Sequence, residues 1–293
     1  MKTLSTLLIA SLLFLHPPAF SQELDKSLTA SLFTGTINYQ GDLNPTSFSF
    51  KHSNFAAGLI IRKPLNRWFT IRAGFNMGTI EASDKWNRDY LQSRNLSFTS
   101  SIKEAYAGLE ISVLDMSTKK FTPYIYGGVA VFHFNPWATD NAGAKTYLNP
   151  LSTEGQGLSQ YPEQQPYKLT QLALSFGTGM KYAVTDAICI GIEFSQRKSF
   201  TDYIDDVSTH YVDRDVLLAA KGAKAVEMAY RGGQSPLGSP LYPGHGEQRG
   251  TPSEMDWYYF FGLTTEVKLN ALGSLFGGSK TVASQRCPRS LGY

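Results

Sequence analysis

Three groups of residues have types and spacings that could do chemistry. Ser208, His210, Asp205 and Asp206 crowd one segment. A serine with a histidine base and an aspartate to orient it is the equipment of hydrolysis or acyl transfer. That chemistry also needs the base held by the third group and an oxyanion site that excludes water. Residues two apart in one loop supply neither, and Ser/His/Asp clusters in loops serve turns well. His133, at the end of an apolar run, fits an interfacial side chain better than a catalyst.

Asp202, Asp205 and Asp206 form the second group, inside Thr201-Asp202-Tyr203-Ile204-Asp205-Asp206. Carboxylates this close are the hard oxygen ligands that Ca²⁺ takes. There is no glycine at the turn and no later bidentate glutamate in register, so capping and turn roles fit better. No cofactor is implied. The third group is a set of opposite charges: Arg62, Arg72, Lys181, Arg197 and Lys268 against Glu104, Glu110, Glu193 and Glu266. They nearly neutralise one another if they share one space.

Period-2 alternation decides that they do. In 98–113, Ala105, Ala107, Leu109, Ile111 and Val113 oppose Glu104, Tyr106, Gly108, Glu110 and Ser112. In 68–81, Phe69, Ile71, Ala73, Phe75 and Met77 oppose Thr70, Arg72, Gly74, Asn76 and Gly78. Segments 187–197 and 256–269 repeat the rule, and 54–63 and 169–183 follow it less cleanly. Segments 27–39 and 121–134 read as strands of undecided facing. These eight strands exceed the usual five or six residues and suit a tilted membrane crossing of about 9–11. One face is apolar; the other mixes Gly, Ser and Thr with paired charges, as a narrow lumen requires. Aromatics gather near strand ends, Trp68 and Tyr182 at one level and Phe132, Phe134, Trp257 and Tyr259 at the other, like two interfacial girdles.

Connection lengths alternate. Connections 40–53, 82–97, 135–168 and 198–255 are long, whereas 64–67, 114–120 and 184–186 are short. A soluble sandwich has no reason for this rhythm. An even-stranded outer-membrane barrel with both termini in the periplasm does. The expected fold is all-β: an eight-stranded antiparallel up-and-down transmembrane barrel. Its fourth outer loop carries a helix, capped by Asp213 or Asp215 and ending at Gly232-Gly233, before the Gly/Pro/Ser-rich stretch 234–250. Eight strands enclose a space that side chains fill, so the nine charges read as a salt-bridged plug, with Arg72–Glu110 the preferred pair.

Composition excludes the alternatives. Only 17% of the 293 residues are charged, against roughly 25% in an ordinary soluble domain, and 13% are aromatic, so disorder is excluded. A net charge of +3 suggests no nucleic-acid partner. Lys2, the apolar run Leu7–Leu15 and Ala19-Phe20-Ser21 read as a signal peptide over 1–21. The domains are then the leader, a barrel over 22–270 and a periplasmic tail over 271–293. Two distant cysteines exclude a disulfide framework and a Cys-based zinc site. Cys189 near the periplasmic mouth and Cys287 in the tail are within reach of one disulfide.

Several runs together resemble a known family. They are Phe121-Thr-Pro-Tyr-Ile-Tyr-Gly-Gly-Val-Ala-Val-Phe-His-Phe-Asn-Pro136 and Leu151-Ser-Thr-Glu-Gly-Gln-Gly-Leu158, which holds Thr153, Glu154, Gly155, Gln156 and Gly157. Arg197-Lys-Ser-Phe-Thr-Asp-Tyr-Ile-Asp-Asp-Val-Ser208, with Phe200 to Asp206, and Arg249-Gly250 complete them. They resemble the PorG-like, DUF6089 outer-membrane proteins of Bacteroidetes over roughly 28–269. The resemblance implies a non-enzymatic, monomeric barrel in outer-membrane lipid, accessory to type IX secretion and touching a periplasmic ring of PorK-like lipoprotein and PorN-like subunits. Family barrels commonly finish at the last strand with an aromatic residue, whereas here the chain continues past Leu269. Two other readings remain: a surface barrel that captures a ligand or secreted client through loops 135–168 and 198–255, and a membrane-embedded hydrolase or acyltransferase.

Overall fold

A computed structural model describes residues 27–46 and 51–271. The leader at 1–21, and the tail beyond Ala271 with Cys287, lie outside those residues. The alternating segments form β1 (Thr29–Gln40), β2 (Asn54–Pro64), β3 (Phe69–Ser83), β4 (Ser97–Ser112) and β5 (Phe121–His133). A short hairpin of β6 (Trp137–Thr139) and β7 (Lys145–Tyr147) follows, then β8 (Thr170–Ala183), β9 (Ile188–Ser199) and β10 (Trp257–Lys268). The eight long strands each pair antiparallel with their neighbours, and β10 returns to β1 from Thr29↔Lys268 to Gln40↔Trp257. The sheet is closed, which removes every long edge. The strand ends fall within two residues of the predicted ones.

The period of two sorts the side chains onto two surfaces. Leu59, Ile71, Phe75, Ile125, Val129, Leu172 and Leu263 stand exposed on the outside, an apolar belt that lipid accepts and water does not. Trp68 and Tyr182 are exposed at the short-turn end, as predicted. The second girdle needs correction. Phe132 and Phe134 are 1% and 0% exposed and belong to the interior; Phe132 shares the parity of Ala130. Tyr259 does lie on the outer face, yet is covered and packs on Phe194 with ring centroids 6.0 Å apart.

Inside, small residues make room for rings. A Cβ at Gly74 would meet the Tyr106 ring at 2.7 Å, and one at Gly179 would collide with Tyr124. Pairing an inward glycine with an inward tyrosine on the adjacent strand is how a narrow barrel is filled without voids.

The outer loops are built rather than loose. The second contains α1 (Asp89–Gln92) and the fourth α2 (Arg214–Lys221) and α3 (Ala223–Ala229). Asp213 caps α2, accepting from the amides of Asp215 at 2.9 Å and Val216 at 3.0 Å. The single helix predicted here is broken at Gly222, whose φ of +84° only glycine adopts easily. Leu217, Ala225 and Ala229 pack on Tyr161 and Val212 in a small core of their own. The stretch 234–250 also packs, since Tyr242 meets Tyr211 and Tyr230 edge-on and Arg249 is 2% exposed.

Candidate functional site

The predicted charge set converges in the lumen in two layers. Toward the short turns, Arg62 reaches Glu110 at 3.0 Å, Glu266 at 3.0 Å and Glu193 at 3.5 Å. Arg72 lies against both oxygens of Glu193, at 3.0 and 2.9 Å, and donates to Glu110 at 3.3 Å. Arg72 also donates to the Tyr106 hydroxyl at 2.8 Å and lies over the Tyr126 ring, 3.7 Å from the guanidinium carbon, a cation–π contact at a fully buried site. Lys181 bonds Glu110 and lies 3.5 Å from Glu266. The Tyr124 hydroxyl donates to Glu193 at 2.6 Å. The preferred pair of the sequence therefore exists, but Glu193 rather than Glu110 is the main partner of Arg72. The fork geometry of guanidinium on carboxylate decides this.

The second layer sits nearer the long loops. Arg197 grips Glu104 through Nε at 2.9 Å and Nη2 at 2.6 Å, while Asn76 and Tyr258 donate to the same carboxylate at 2.8 and 2.9 Å. Every acceptor lobe is occupied, which is what a buried charge requires. Lys268 lines, with Arg62, Lys181 and Glu266 of the lower layer, a cavity of about 230 Å³ at the short-turn mouth, beside Cys189. Cys189 is half-buried there and has no disulfide partner among the described residues; the predicted bond to Cys287 lies outside them.

Above these layers the interior turns apolar. Ile37, Ile80, Phe98, Ile102, Phe132, Phe134 and Phe260 join Leu43, Ile204, Val207 and Met228 from the loops in one core. The barrel is thus plugged by charges below and sealed by hydrocarbon above.

The family-like loop motifs assemble over that seal. Glu154, 0% exposed, accepts from the amides of Ser208 at 2.9 Å and Thr209 at 3.0 Å, and from the Thr209 hydroxyl at 2.7 Å. Arg249 completes its shell at 2.7 Å. Burial alone would lower the Arg249 pKa; Glu154 reverses this and holds it above the ordinary value. Thr153 and Tyr167 each donate to Asp206 at 2.6 Å. Burial raises Asp206 to about 6 even with Arg249 beside it. Gly155 has a φ of +77°, and a Cβ there would strike Tyr161 at 2.7 Å. Gln156 turns back onto the Glu154 amide at 3.1 Å, while Gly157 lies at the surface. Arg94, held by Asp84 at 2.8 and 2.9 Å, also donates to the Arg249 carbonyl.

The other predicted chemistry fares differently. Ser208 is buried with its amide on Glu154, whereas His210 is exposed in a bridge to Gln248. The two are not assembled as nucleophile and base. Asp202, Asp205 and Asp206 do not share one site: Asp206 turns to Thr153 and Tyr167, and Asp205 to Tyr39 at 2.7 Å. Among the described residues no three His, Cys, Asp or Glu side chains are grouped to hold a metal ion. Phe200 is exposed, Thr201 is buried, and Tyr203 donates to Glu154 at 3.2 Å. Sequence reasoning missed Tyr39 and Asp256 here, and Tyr124 and Tyr126 in the lumen. The inward alternation of β5 was the signal for the last two.

Solved structures similar in fold include Neisserial surface protein A, at 8% identity and a TM-score of 0.41, covering 82% of this chain and 96% of that one. Ail, the attachment invasion locus protein of Yersinia pestis, matches at 7% identity and 0.39, covering 83% and 99%. The outer membrane protein OprG of Pseudomonas aeruginosa matches at 10% and 0.37, covering 82% and 96%. No curated protein matches. The motifs at 121–136, 151–158 and 197–208 and strands β1 to β9 fall within residues 7–217, which match the family described as Domain of unknown function (DUF6089), and the chain is a member of it.

Proposed function

We propose that this protein is a non-enzymatic outer-membrane barrel, accessory to type IX protein secretion, whose periplasmic end contacts a ring of lipoprotein and partner subunits. The observation that supports a scaffold over a channel is the filled lumen. Arg72, Glu193 and Glu110 close it below, and Phe98, Phe132 and Phe260 close it above. Work done by such a barrel falls to its two ends and not to its bore. The secretion assignment rests on the motif resemblance of 121–136, 151–158 and 197–208. The test is chemical crosslinking in native outer membranes followed by pull-down of the tagged barrel. Recovery of a periplasmic ring lipoprotein, with loss of export of C-terminally sorted proteins on gene deletion, is the expected result. Normal export without the barrel overturns the assignment.

A second reading, capture of a ligand or secreted client by the outer loops, is favoured by one observation. Loops 135–168 and 198–255 are locked together through Glu154, Arg249, Thr153 and Asp206 into a preformed surface. Export that survives deletion of the tips of those loops counts against it.

A further inference from the structure

The outer cap is fastened to the barrel rim at one point where the protons do not add up without an extra one. Tyr39, at the top of β1, places its hydroxyl 2.7 Å from Asp205 Oδ2 and 2.7 Å from Asp256 Oδ1. A phenol carries one proton and can donate to one of them. With both carboxylates ionised, the other contact would set two oxygen lone pairs against each other at hydrogen-bond distance. A second proton must sit among the three groups.

The remaining contacts say where. Asp205 accepts from the Leu43 amide at 3.2 Å, the Val207 amide at 2.9 Å and Tyr39, so both its oxygens are engaged as acceptors. Asp256 Oδ2 accepts from the Ile204 amide at 2.8 Å, which leaves Oδ1 with Tyr39 alone. Asp205 is therefore the ionised member, and Asp256 Oδ1 carries the proton and donates it to the tyrosine oxygen. All three side chains are within 1% of full burial. Among the described residues no lysine or arginine pairs with Asp205, Asp256 or Asp202. Asp202 stands beside them, and burial with Asp205 nearby pushes it up to about 9 against the lowering effect of the Ser208 hydroxyl. Asp42, on the Thr251 amide at 3.0 Å, and Glu154 add negative charge from the first and third outer loops. Burial and these neighbours hold the Asp205–Asp256 pair well above the usual carboxylate range, so that one proton stays on it.

We infer that Tyr39, Asp205 and Asp256 form a proton-dependent latch that holds the 199–209 segment over the barrel mouth and releases it when the shared proton is lost. Deprotonation takes the proton from Asp256 Oδ1 to solvent, breaks its bond to Tyr39 and leaves two carboxylates on one phenol. Ile204 and Val207, which seal the apolar core, lie in the segment that this bond fastens. The inference stands apart from the secretion reading.

Hydrogen exchange of the purified barrel in detergent, corrected for intrinsic rates, tests it. Opening of 199–209 is expected to rise with pH from the ordinary carboxylate range up to the raised pKa of the latch and to level off beyond it. The latch proton contributes about a tenfold rise per pH unit in that window. Asp256→Asn keeps an acceptor for Ile204 and a permanent donor for Tyr39, so its slope in that window is shallower than the wild type's by one proton, while Asp202 and Asp206 of the same segment still contribute. A slope as steep in Asp256→Asn as in the wild type, or a wild-type profile flat from about pH 4 upward, overturns the latch. Should that variant not fold, infrared spectroscopy of the wild type at pH 7 still decides. A carboxylic acid carbonyl band that shifts in Tyr39→Phe is expected, and an unchanged spectrum overturns the proposal.

Discussion

Glu154 and Arg249 lie 95 positions apart in the chain and 2.7 Å apart in the outer cap, both almost wholly buried. Glu154 is the nearer carboxylate to Arg249, with Asp206 a second at 3.7 Å, and around them outer-loop segments meet. Removing one partner of such a pair leaves an uncompensated buried charge, at a cost of about 3–5 kcal/mol. Arg249→Met is expected to open loops 135–168 and 198–255 to added protease on intact cells. The barrel itself, read by its gel mobility with and without heating, should stay folded. Arg249→Met with Glu154→Gln should recover much of the protection. Equal protease sensitivity of the single and double variants would show that the pair does not hold the cap.

The lumenal network makes a second prediction, on hierarchy. Arg72→Met is expected to destabilise the barrel by about 3–5 kcal/mol in urea titrations. Adding Glu193→Gln should restore more of that loss than adding Glu110→Gln, because Glu193 holds two of the three carboxylate contacts of Arg72. Greater recovery with Glu110→Gln would reverse the order of partners.

The difference between those partners marks where the sequence stops being readable. Alternation along 98–113 and 187–197 is enough to turn Glu104, Glu110 and Glu193 inward. Which arginine meets which glutamate depends on strand tilt and shear, and neither leaves a trace in composition or period. β5 was ambiguous because Gly127-Gly128 interrupts its alternation midway, so the inward Tyr124 and Tyr126 were not recognised. Phe132 and Phe134 were placed in a girdle by their position near a strand end, when parity with Ala130 would have turned Phe132 inward. Tyr39 and Asp256, 217 positions apart, come together only once β10 has closed on β1.

Asp206 gives the cap a pH dependence of definite sign. Burial raises its pKa to about 6, above the ordinary carboxylate value of 3.8. The folded cap therefore binds more protons than the open one between those two values, and its stability falls as pH rises from about 4 to 6. Beyond about 6 this contribution is flat. Asp206→Asn should make the decline in that window shallower by this one proton, measured as protease protection of 198–255 at pH 4 against pH 6.5. A decline of the same size in the variant would place its origin in another group.

The topology can be tested from outside the cell. Short turns such as 184–187 lie at the end where Trp68 and Tyr182 face outward, and the long, internally packed loops lie at the other. In barrels of even strand number the long loops face the exterior and the turns face the periplasm. Both Cys189 and Cys287 are first replaced by serine, so that only introduced thiols react. Ser253 and Asp186 are both exposed, which equalises their intrinsic reactivity. Ser253→Cys is expected to react with a membrane-impermeant maleimide on intact cells, and Asp186→Cys only after lysis. The lysed sample shows that Asp186→Cys is able to react, so a negative result on intact cells reports its side of the membrane. Labelling of Asp186→Cys in place of Ser253→Cys would invert the barrel, and equal labelling of both on intact cells would remove it from the membrane altogether.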